Sequence, residues 1–209
     1  MLTNNLGGSG PTTSDPQEMR YGNIGEYPAG QPFDLKIVAQ DPFVNLNGYV
    51  NLNGIWNNLK FGNIALDNSG RGDGFVNEVK LTLSFLRPGS ETPVVLPEFF
   101  LAVFDVDASG TFRANQTLSG KGYTGYVTDV DTELVASKAD DGSTKFTATQ
   151  ADVDNPDDPM TATKKQRQNM VMYFYKEKST FEFTFGLVGD GARNFNFAGK
   201  CALMDRCGD

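Results

Sequence analysis

The sequence predicts an all-β protein, a two-sheet antiparallel β-sandwich of the jelly-roll type. Roughly ten short apolar segments alternate with turn-forming residues along the chain, which is the pattern of such a sandwich. The 16 Phe and 7 Tyr supply the bulky rings that strands accommodate well. The 23 Gly and 10 Pro supply the turns between strands. Since all-β sandwiches of 209 residues commonly form one unit, we place a single sandwich domain at residues 31–200.

The strands are predicted from the alternation of apolar and polar residues. In Val76–Leu86, the side chains of Val79, Leu81, Leu83 and Phe85 would face the core, and the residues between them would face solvent. Phe33–Ala39 and Phe181–Val188 show the same alternation. Other predicted elements are a hairpin meander at 43–56, a helical turn at Thr161–Asn169, and strands at Leu59–Ile64, Phe99–Phe104, Thr117–Thr128, Thr132–Ser137, Lys145–Thr149, Met170–Tyr175 and Arg193–Gly199.

The segment Leu96–Phe112 combines a core strand with acidic residues. An apolar run ends at Phe104, and Asp105-Val106-Asp107 follows before the turn residues Ser109-Gly110. Because side chains alternate in an extended chain, Asp105 and Asp107 would lie on one face. The segment therefore predicts a buried strand that delivers two carboxylates to the edge of a sheet.

A calcium site is one reading of these acids. Asp105, Asp107 and Ser109 match the start of an EF-hand loop, but its twelfth position is Gln116 and no helix precedes it. A cation site of another design would combine these three residues with Asp154, Asn155 and Asp157 of the acidic loop 152–159. The alternative reading is that these side chains form turns and solubilise the surface.

The composition of the chain argues against several classes of function. The chain has no histidine, which excludes His-based triads and His-ligated zinc sites, and its net charge of −8 argues against a nucleic-acid partner. No apolar run is long enough to insert in a membrane, and the N-terminus lacks the pattern of a signal peptide. A glycosidase would need two facing carboxylates, such as Asp105 or Asp107 with Glu182, and nothing in the sequence requires that arrangement. We therefore expect a non-catalytic protein.

The two termini are predicted to lie outside the sandwich. Residues 1–30 are rich in Gly, Ser, Thr, Pro and Asn, which indicates an arm that is either disordered or docked on a neighbouring subunit. We expect its deletion to weaken assembly and leave the fold intact. The tail, residues 201–209, carries Cys201 and Cys207, which would form a disulfide in an oxidising compartment. Free thiols and an intermolecular bond are the alternatives.

Exposed aromatic residues suggest a second function, calcium-assisted binding of carbohydrate at the cell surface. Trp56, Tyr123 and Tyr126, together with Tyr173, are candidate platforms for a sugar ring. The alternative is that these rings belong to the core or to cross-strand pairs.

Several motifs in fixed order resemble β-rich structural proteins of diatoms and other marine microalgae. The resemblance covers residues 33–199. Its motifs are Phe104-Asp105-Val106-Asp107, Tyr126–Glu133, Phe146–Thr149, Asn155-Pro156-Asp157-Asp158-Pro159 and Arg193–Gly199. The pyrenoid shell proteins of diatoms are the nearest functional analogue in this group.

The resemblance implies a non-catalytic module that works by self-association, with other copies of the chain as its partner. It implies either an extracellular or cell-surface location or, as the alternative, the pyrenoid periphery in the plastid. Strand addition between subunits is a general way to build sheets, shells or filaments from sandwiches. The leading prediction is therefore a self-assembling structural protein, and the alternative is the calcium-assisted glycan-binding module.

Overall fold

The computed structural model describes residues 1–40, 52–56, 60–110, 113–151 and 155–201. The strands in this part of the chain are β1 (Thr3–Asn4), β2 (Met19–Glu26), β3 (Pro32–Ala39), β4 (Gly54–Trp56), β5 (Phe61–Asp67), β6 (Val76–Leu86), β7 (Leu96–Phe104), β8 (Ala114–Lys121), β9 (Gly125–Val127), β10 (Leu134–Lys138), β11 (Thr144–Ala148), β12 (Val171–Lys178), β13 (Thr180–Gly189) and β14 (Ala192–Cys201). A 3₁₀ helix lies at Leu6–Gly8, and a short α-helix, α1 (Lys164–Gln168), precedes β12. The α-helix lies within the predicted helical turn.

The strands form two antiparallel sheets, which confirms the predicted all-β sandwich. The larger sheet has eight strands in the order β1-β2-β3-β6-β13-β8-β11-β10. The smaller sheet has six strands in the order β4-β5-β14-β7-β12-β9. The predicted hairpin of β10 and β11 is present, with Leu134 opposite Ala148 and Lys138 opposite Thr144. Most of the predicted meander at 43–56 lies outside the described residues.

The core lies between the two sheets and follows the predicted alternation. On β6 the side chains of Val79, Leu81, Leu83 and Phe85 are buried, as expected. On β13 the three phenylalanines and Leu187 are buried on one face. The central strands of the smaller sheet contribute the inward side chains on the other side of this core. Among them are Leu101, Val103, Tyr173, Tyr175, Phe195 and Phe197.

A second, smaller core lies on the outer face of the six-stranded sheet. Phe61, Ala102 and Phe104 are buried there, and Ala162, Met170, Met172 and Ala198 pack against them. Ala162 and Met170 flank α1, so the segment that carries the helix covers this face of the sheet. Thr163 begins α1 with a capping box, in which Thr163 and Gln166 each bond the other's backbone N–H. The cap therefore stabilises a helix that is too short to form alone.

Residues 1–30 lie differently from the predicted arm. They supply β1 and β2, which extend the larger sheet beyond β3, and Leu6 and Met19 are fully buried in the main core. The composition predicted loop because turn residues fill 7–17, yet the segments on either side pair with each other as β1 and β2. Removing residues 1–30 would expose β3 and open the core, so in the single chain this segment belongs to the sandwich.

A buried ion pair fixes the N-terminal segment in place. Arg20 Nε lies 2.9 Å from Asp34 Oδ2, and these side chains are 10% and 1% exposed. Arg20 Nη2 also donates to the carbonyls of Arg87 and Ser90, at 3.1 and 2.8 Å. The other carboxylate oxygen of Asp34 accepts the N–H of Asn23 at 3.0 Å. Arg20 therefore joins β2, β3 and the turn after β6 through nearly saturated hydrogen bonds.

The C-terminal cysteine pair is described only in part. Cys201 is the last residue of β14 and lies opposite Phe99 of β7. Cys207 lies outside the described residues, so the disulfide stays a prediction.

We expect Asp34→Ala to lower the free energy of unfolding by about 3 kcal/mol, because it leaves the buried Arg20 guanidinium with only the mostly exposed Glu91 as counter-ion. Urea denaturation measures this loss. The control is Asp140→Ala, which removes an exposed carboxylate and should change the free energy by less than about 0.5 kcal/mol. Equal effects of the two substitutions would contradict the role given to the Arg20–Asp34 pair.

Candidate functional site

The acidic turn, residues 105–109, begins where β7 ends. Asp105 adopts φ of 59°, in the left-handed region, so the extended strand stops at Phe104. The alternation that was expected to place Asp105 and Asp107 on one face therefore does not continue past Phe104. Both side chains are buried, at 9% and 5% exposure, and Val106 between them belongs to the main core.

Backbone and amide groups hold the acidic turn tightly. The N–H of Asp107 donates to Gln116 Oε1 at 2.8 Å, and Gln116 Nε2 donates to the carbonyl of Asn194 at 2.8 Å. Gln116, which occupies the position of the missing EF-hand glutamate, therefore ties the turn to β8 and β14. The hydroxyl of Ser109 accepts the N–H groups of Arg113 and Ala114 at 2.9 and 3.0 Å. These two bonds use its acceptor positions, so Ser109 closes a turn and is not placed to bind a cation.

The two aspartates have different partners. Asp107 Oδ1 lies 3.5 Å from Arg193 Nε, and the two side chains are 7% and 23% exposed. Asp105 contacts the side chain of Asn155, which donates to the carboxylate when its amide nitrogen faces Asp105. The amide of Asn155 also lies 3.0 Å from that of Asn196, which is 1% exposed. A polar cluster of Asp105, Asn155 and Asn196 thus forms where the 155–159 loop meets the outer face of the smaller sheet.

The predicted cation ligands are brought together only in part. Asp105 and Asn155 are in contact, whereas Asp107 forms an ion pair with Arg193. The hydroxyl of Ser109 is hydrogen-bonded within its own turn. Asp157 is exposed, and Asp154 lies outside the described residues. Within the described ranges, no group of three or more His, Cys, Asp or Glu side chains could hold a metal ion. Calcium stays a prediction, and among its candidate ligands the structure brings Asp105 and Asn155 into contact.

The helix α1 is anchored to the acidic turn through Asn169. The carbonyl of Asn169 accepts the N–H of Val106 at 3.0 Å, and Asn169 Nδ2 donates to Glu133 Oε2 at 2.9 Å. Glu133 also forms an ion pair with Lys165 of α1, at 2.5 Å. Burial would raise the pKa of Glu133, but the hydrogen bonds from Lys165 and Asn169, with the charge of Lys165, outweigh burial and lower that pKa.

The strand order separates the residues of the predicted aromatic platform from one another. Trp56 belongs to β4 and Tyr126 to β9, and these strands are the two opposite edges of the smaller sheet. Tyr173 is fully buried in the core, where burial and then the neighbouring tyrosines raise its pKa. Tyr123 and Tyr126 do meet, with ring centroids 6.0 Å apart in an edge-to-face arrangement. Tyr126 is 39% exposed and also contacts Phe146 at 5.0 Å.

Sequence reasoning missed the residues that organise the site. Asn169, Arg193 and Asn196 carried no signal of their own, because amides and single cations are common in strands and loops, and Gln116 was noted only as a mismatch to the EF-hand loop. Arg193 stands in one of the motifs of the resemblance, but alternation identified only its strand.

A scan against protein-family models gives no match for this chain, and a search of curated proteins gives none either. Among solved structures, the chain is similar to the N-terminal domain of the Streptococcus gordonii adhesin Sgo0707, with 13% identity and a TM-score of 0.53. That match covers 85% of this chain and 46% of the adhesin chain. The chain is also similar to glucan binding protein C of Streptococcus mutans, with 13% identity, a TM-score of 0.46, and coverage of 90% and 62%.

The chain thus spans less than two thirds of either structure. At this identity, the likeness to the adhesin domain shows the fold, a β-sandwich.

We expect the free energy of unfolding to fall at acid pH, partly because Glu133 becomes protonated. Its pKa is lower in the folded chain, so its stabilising contribution is complete at neutral pH and is lost as pH falls from about 4.3 through the folded value. Glu133→Gln should therefore unfold more easily at neutral pH and lose less further stability between about pH 5 and about pH 3 than the wild type. Urea denaturation across this range measures both slopes.

The control for this prediction is Glu98→Gln, which alters an ion pair with Lys176 at 3.4 Å in which both side chains are mostly exposed. Its curve should parallel that of the wild type. If Glu133→Gln also runs parallel to the wild type, Glu133 does not anchor α1 in the way described.

Proposed function

We propose that this chain is a non-catalytic binding module of the cell surface and that its partner is another copy of itself. The observation that carries the proposal is the open edge of the larger sheet at β10. A strand at a sheet edge presents unpaired N–H and C=O groups, which can pair with a strand of another molecule.

Strand β10 is the best suited of the sheet edges that the structure describes. The other three, β1, β4 and β9, have only two or three residues each, which limits the pairing they offer. Strand β10 has five residues, Leu-Val-Ala-Ser-Lys, and pairs over its full length with β11 on its inner side. Val135 is 56% exposed, and the strand carries no charge before Lys138. It thus lacks the early charges and prolines that commonly protect such edges.

The surroundings of the acidic residues support a non-catalytic role. Asp105 contacts the amide of Asn155, and Asp107 contacts the guanidinium of Arg193. A glycosidase instead needs two carboxylates that face each other across a cleft. Glu182 alternates with the buried phenylalanines of β13, so it lies on the outer face of the other sheet. The fold shared with an adhesin domain is compatible with binding at a cell surface.

We expect Val135→Lys to prevent self-association, because a charged side chain on an edge strand opposes the addition of another strand. Sedimentation velocity over a series of concentrations should show growing oligomers for the wild type and monomers for the variant. The matched control is Val130→Lys, which changes a 95% exposed valine in the loop before β10 and should associate like the wild type.

A wild type that stays monomeric at every concentration would contradict the proposal. Equal association of the two lysine variants would show that any assembly uses another surface.

The second candidate is binding of carbohydrate, and the pair formed by exposed Tyr126 and half-buried Tyr123 favours it. Phe146 and the buried Tyr173 support the two rings from below, so the pair is held rigidly at the edge of the smaller sheet. A rigid aromatic surface with polar neighbours is a common element of binding sites. Calcium at Asp105 would require Asn155 to turn its amide oxygen toward the cation, and it would act by ordering the 155–159 loop.

We expect a glycan identified by array screening to raise the thermal midpoint of the wild type, and Tyr126→Ala to weaken its binding by about tenfold. Phe174→Ala is the control, because Phe174 is 37% exposed and lies on β12 beside β9. Repeating the titration with calcium and with chelator tests the cation. Equal losses in the two variants, or no glycan bound, would exclude the Tyr123–Tyr126 surface.

A further inference from the structure

The loop between β5 and β6, residues 68–75, crosses from the smaller sheet to the larger one. Residues 69–74 of this loop are all exposed, and they include Arg71-Gly72-Asp73, which we call the tip. A guanidinium and a carboxylate are therefore presented to solvent two residues apart, with no side chain between them.

The start of the loop is fixed by buried polar groups. Asn68 is fully buried, and its N–H donates to the carbonyl of Gly191 at 2.8 Å. Asn68 Nδ2 donates to the carbonyl of Leu187 at 3.0 Å. Asp67 Oδ1 accepts the N–H of Ser69 at 2.8 Å, a bond that aspartates in turns commonly make. The loop therefore leaves β5 in a defined direction.

Further hydrogen bonds hold the chain on both sides of the tip. The N–H of Gly70 donates to Asp190 Oδ1 at 2.8 Å, and the carbonyl of Phe75 accepts the N–H of Gly189 at 2.8 Å. The N–H of Phe75 also donates to the carbonyl of Gly72 at 3.2 Å. The loop is thus held against the end of β13 and the turn that follows it. A partner that binds the tip would have little backbone to order.

The side chains of the tip contribute little to this turn. The guanidinium of Arg71 lies over the ring of Phe75, 5.5 Å from its centroid. Asp73 accepts no backbone N–H in the described part of the chain, in contrast to Asp67. Asp73 Oδ1 lies 3.7 Å from Arg113 Nε, and these side chains are 80% and 59% exposed. Such an exposed pair contributes little to stability. The formation of a turn therefore explains the rest of the loop but not these two charges.

The backbone at Gly72 leaves the tip open to a partner. Gly72 has φ of 89°, in the left-handed region that residues with a Cβ rarely adopt. A Cβ at this position would meet no atom within 4 Å, so conformation and not crowding accounts for the glycine. Arg71 and Asp73 have the different neighbours named above and do not neutralise each other. Another molecule can therefore approach the backbone between two available charges.

From these features we propose that the tip is recognised by a receptor protein that offers carboxylates to Arg71 and a bound divalent cation to Asp73. A guanidinium binds carboxylates through paired hydrogen bonds, and a carboxylate is a preferred ligand of Mg²⁺ and Mn²⁺. A lysine or arginine of the receptor in place of the cation would gain little beyond the present contact of Asp73 with Arg113. The tip is separate from β10, so this proposal does not depend on self-association.

The test is biosensor binding of the full chain to a panel of purified integrin ectodomains, which are receptors for Arg-Gly-Asp segments, in buffer that contains Mn²⁺. We expect saturable binding that EDTA abolishes and that the peptide Gly-Arg-Gly-Asp-Ser displaces. No binding to any ectodomain in Mn²⁺ would overturn the proposal and leave the loop a surface turn. Binding that persists in EDTA would overturn the assignment of a cation.

A conservative variant locates the contact at the carboxylate. Asp73→Glu keeps the charge but moves the carboxylate by one methylene, so we expect binding at least about tenfold weaker. Its thermal midpoint should equal that of the wild type, because Asp73 makes no hydrogen bond in the turn. The matched control is Asp140→Glu, the same change at an exposed aspartate in the turn before β11, which should bind like the wild type. Equal binding of Asp73→Glu and Asp140→Glu would overturn the role of Asp73.

Hydrogen exchange in the receptor complex locates the contact without a change at the tip. The backbone amides of Gly72, Asp73 and Gly74 should exchange more slowly in the complex than in the free chain. Val135→Lys, which alters β10, should bind the receptor like the wild type. Protection confined to Leu134–Lys138 would place the receptor on β10 and overturn the proposal.

Discussion

The structure depends on the contact between aromatic rings that project from the two sheets into the space between them. Phe185 of the larger sheet stacks on Phe195 of the smaller sheet with centroids 4.5 Å apart, and Phe85 meets Phe99 edge-to-face at 4.8 Å. Each ring buries a large apolar area, so these few contacts supply much of the force that holds the sheets together. Gly62 places no side chain where the ring of Phe197 lies, so that ring packs directly on the backbone of β5.

This aromatic layer explains which parts of the fold could be predicted. A side chain that faces the layer is apolar and its neighbours in the strand are polar, so alternation identified the faces of β3, β6 and β13 correctly. Asp34 is an exception, because it is fully buried although alternation placed it outside. Its partner Arg20 lies in the segment that composition assigned to an arm. Local pattern could not reveal a pair that forms only when β2 and β3 come together.

Several residues of the candidate site could be predicted from the sequence, but their arrangement in space could be predicted less well. The acidic turn follows a buried strand, as expected, and the 155–159 loop folds against it through Asn155. The left-handed conformation of Asp105 ends the alternation, and Arg193 and Gln116 come to the turn from strands that are distant in sequence. The order of strands within a sheet is likewise set by long-range pairing, which is why Trp56 and Tyr126 were grouped although they occupy opposite edges.

The central claim is that β10 pairs with another copy of the chain, and hydrogen exchange at two protein concentrations tests it most directly. Backbone amides of an unpaired edge exchange quickly, and pairing protects them. The account predicts that amides in Leu134–Lys138 exchange more slowly at high concentration, while those in the edge strand β9 keep the same rate at both. Unchanged rates in β10 at concentrations where the chain associates, or new protection confined to another edge, would contradict it.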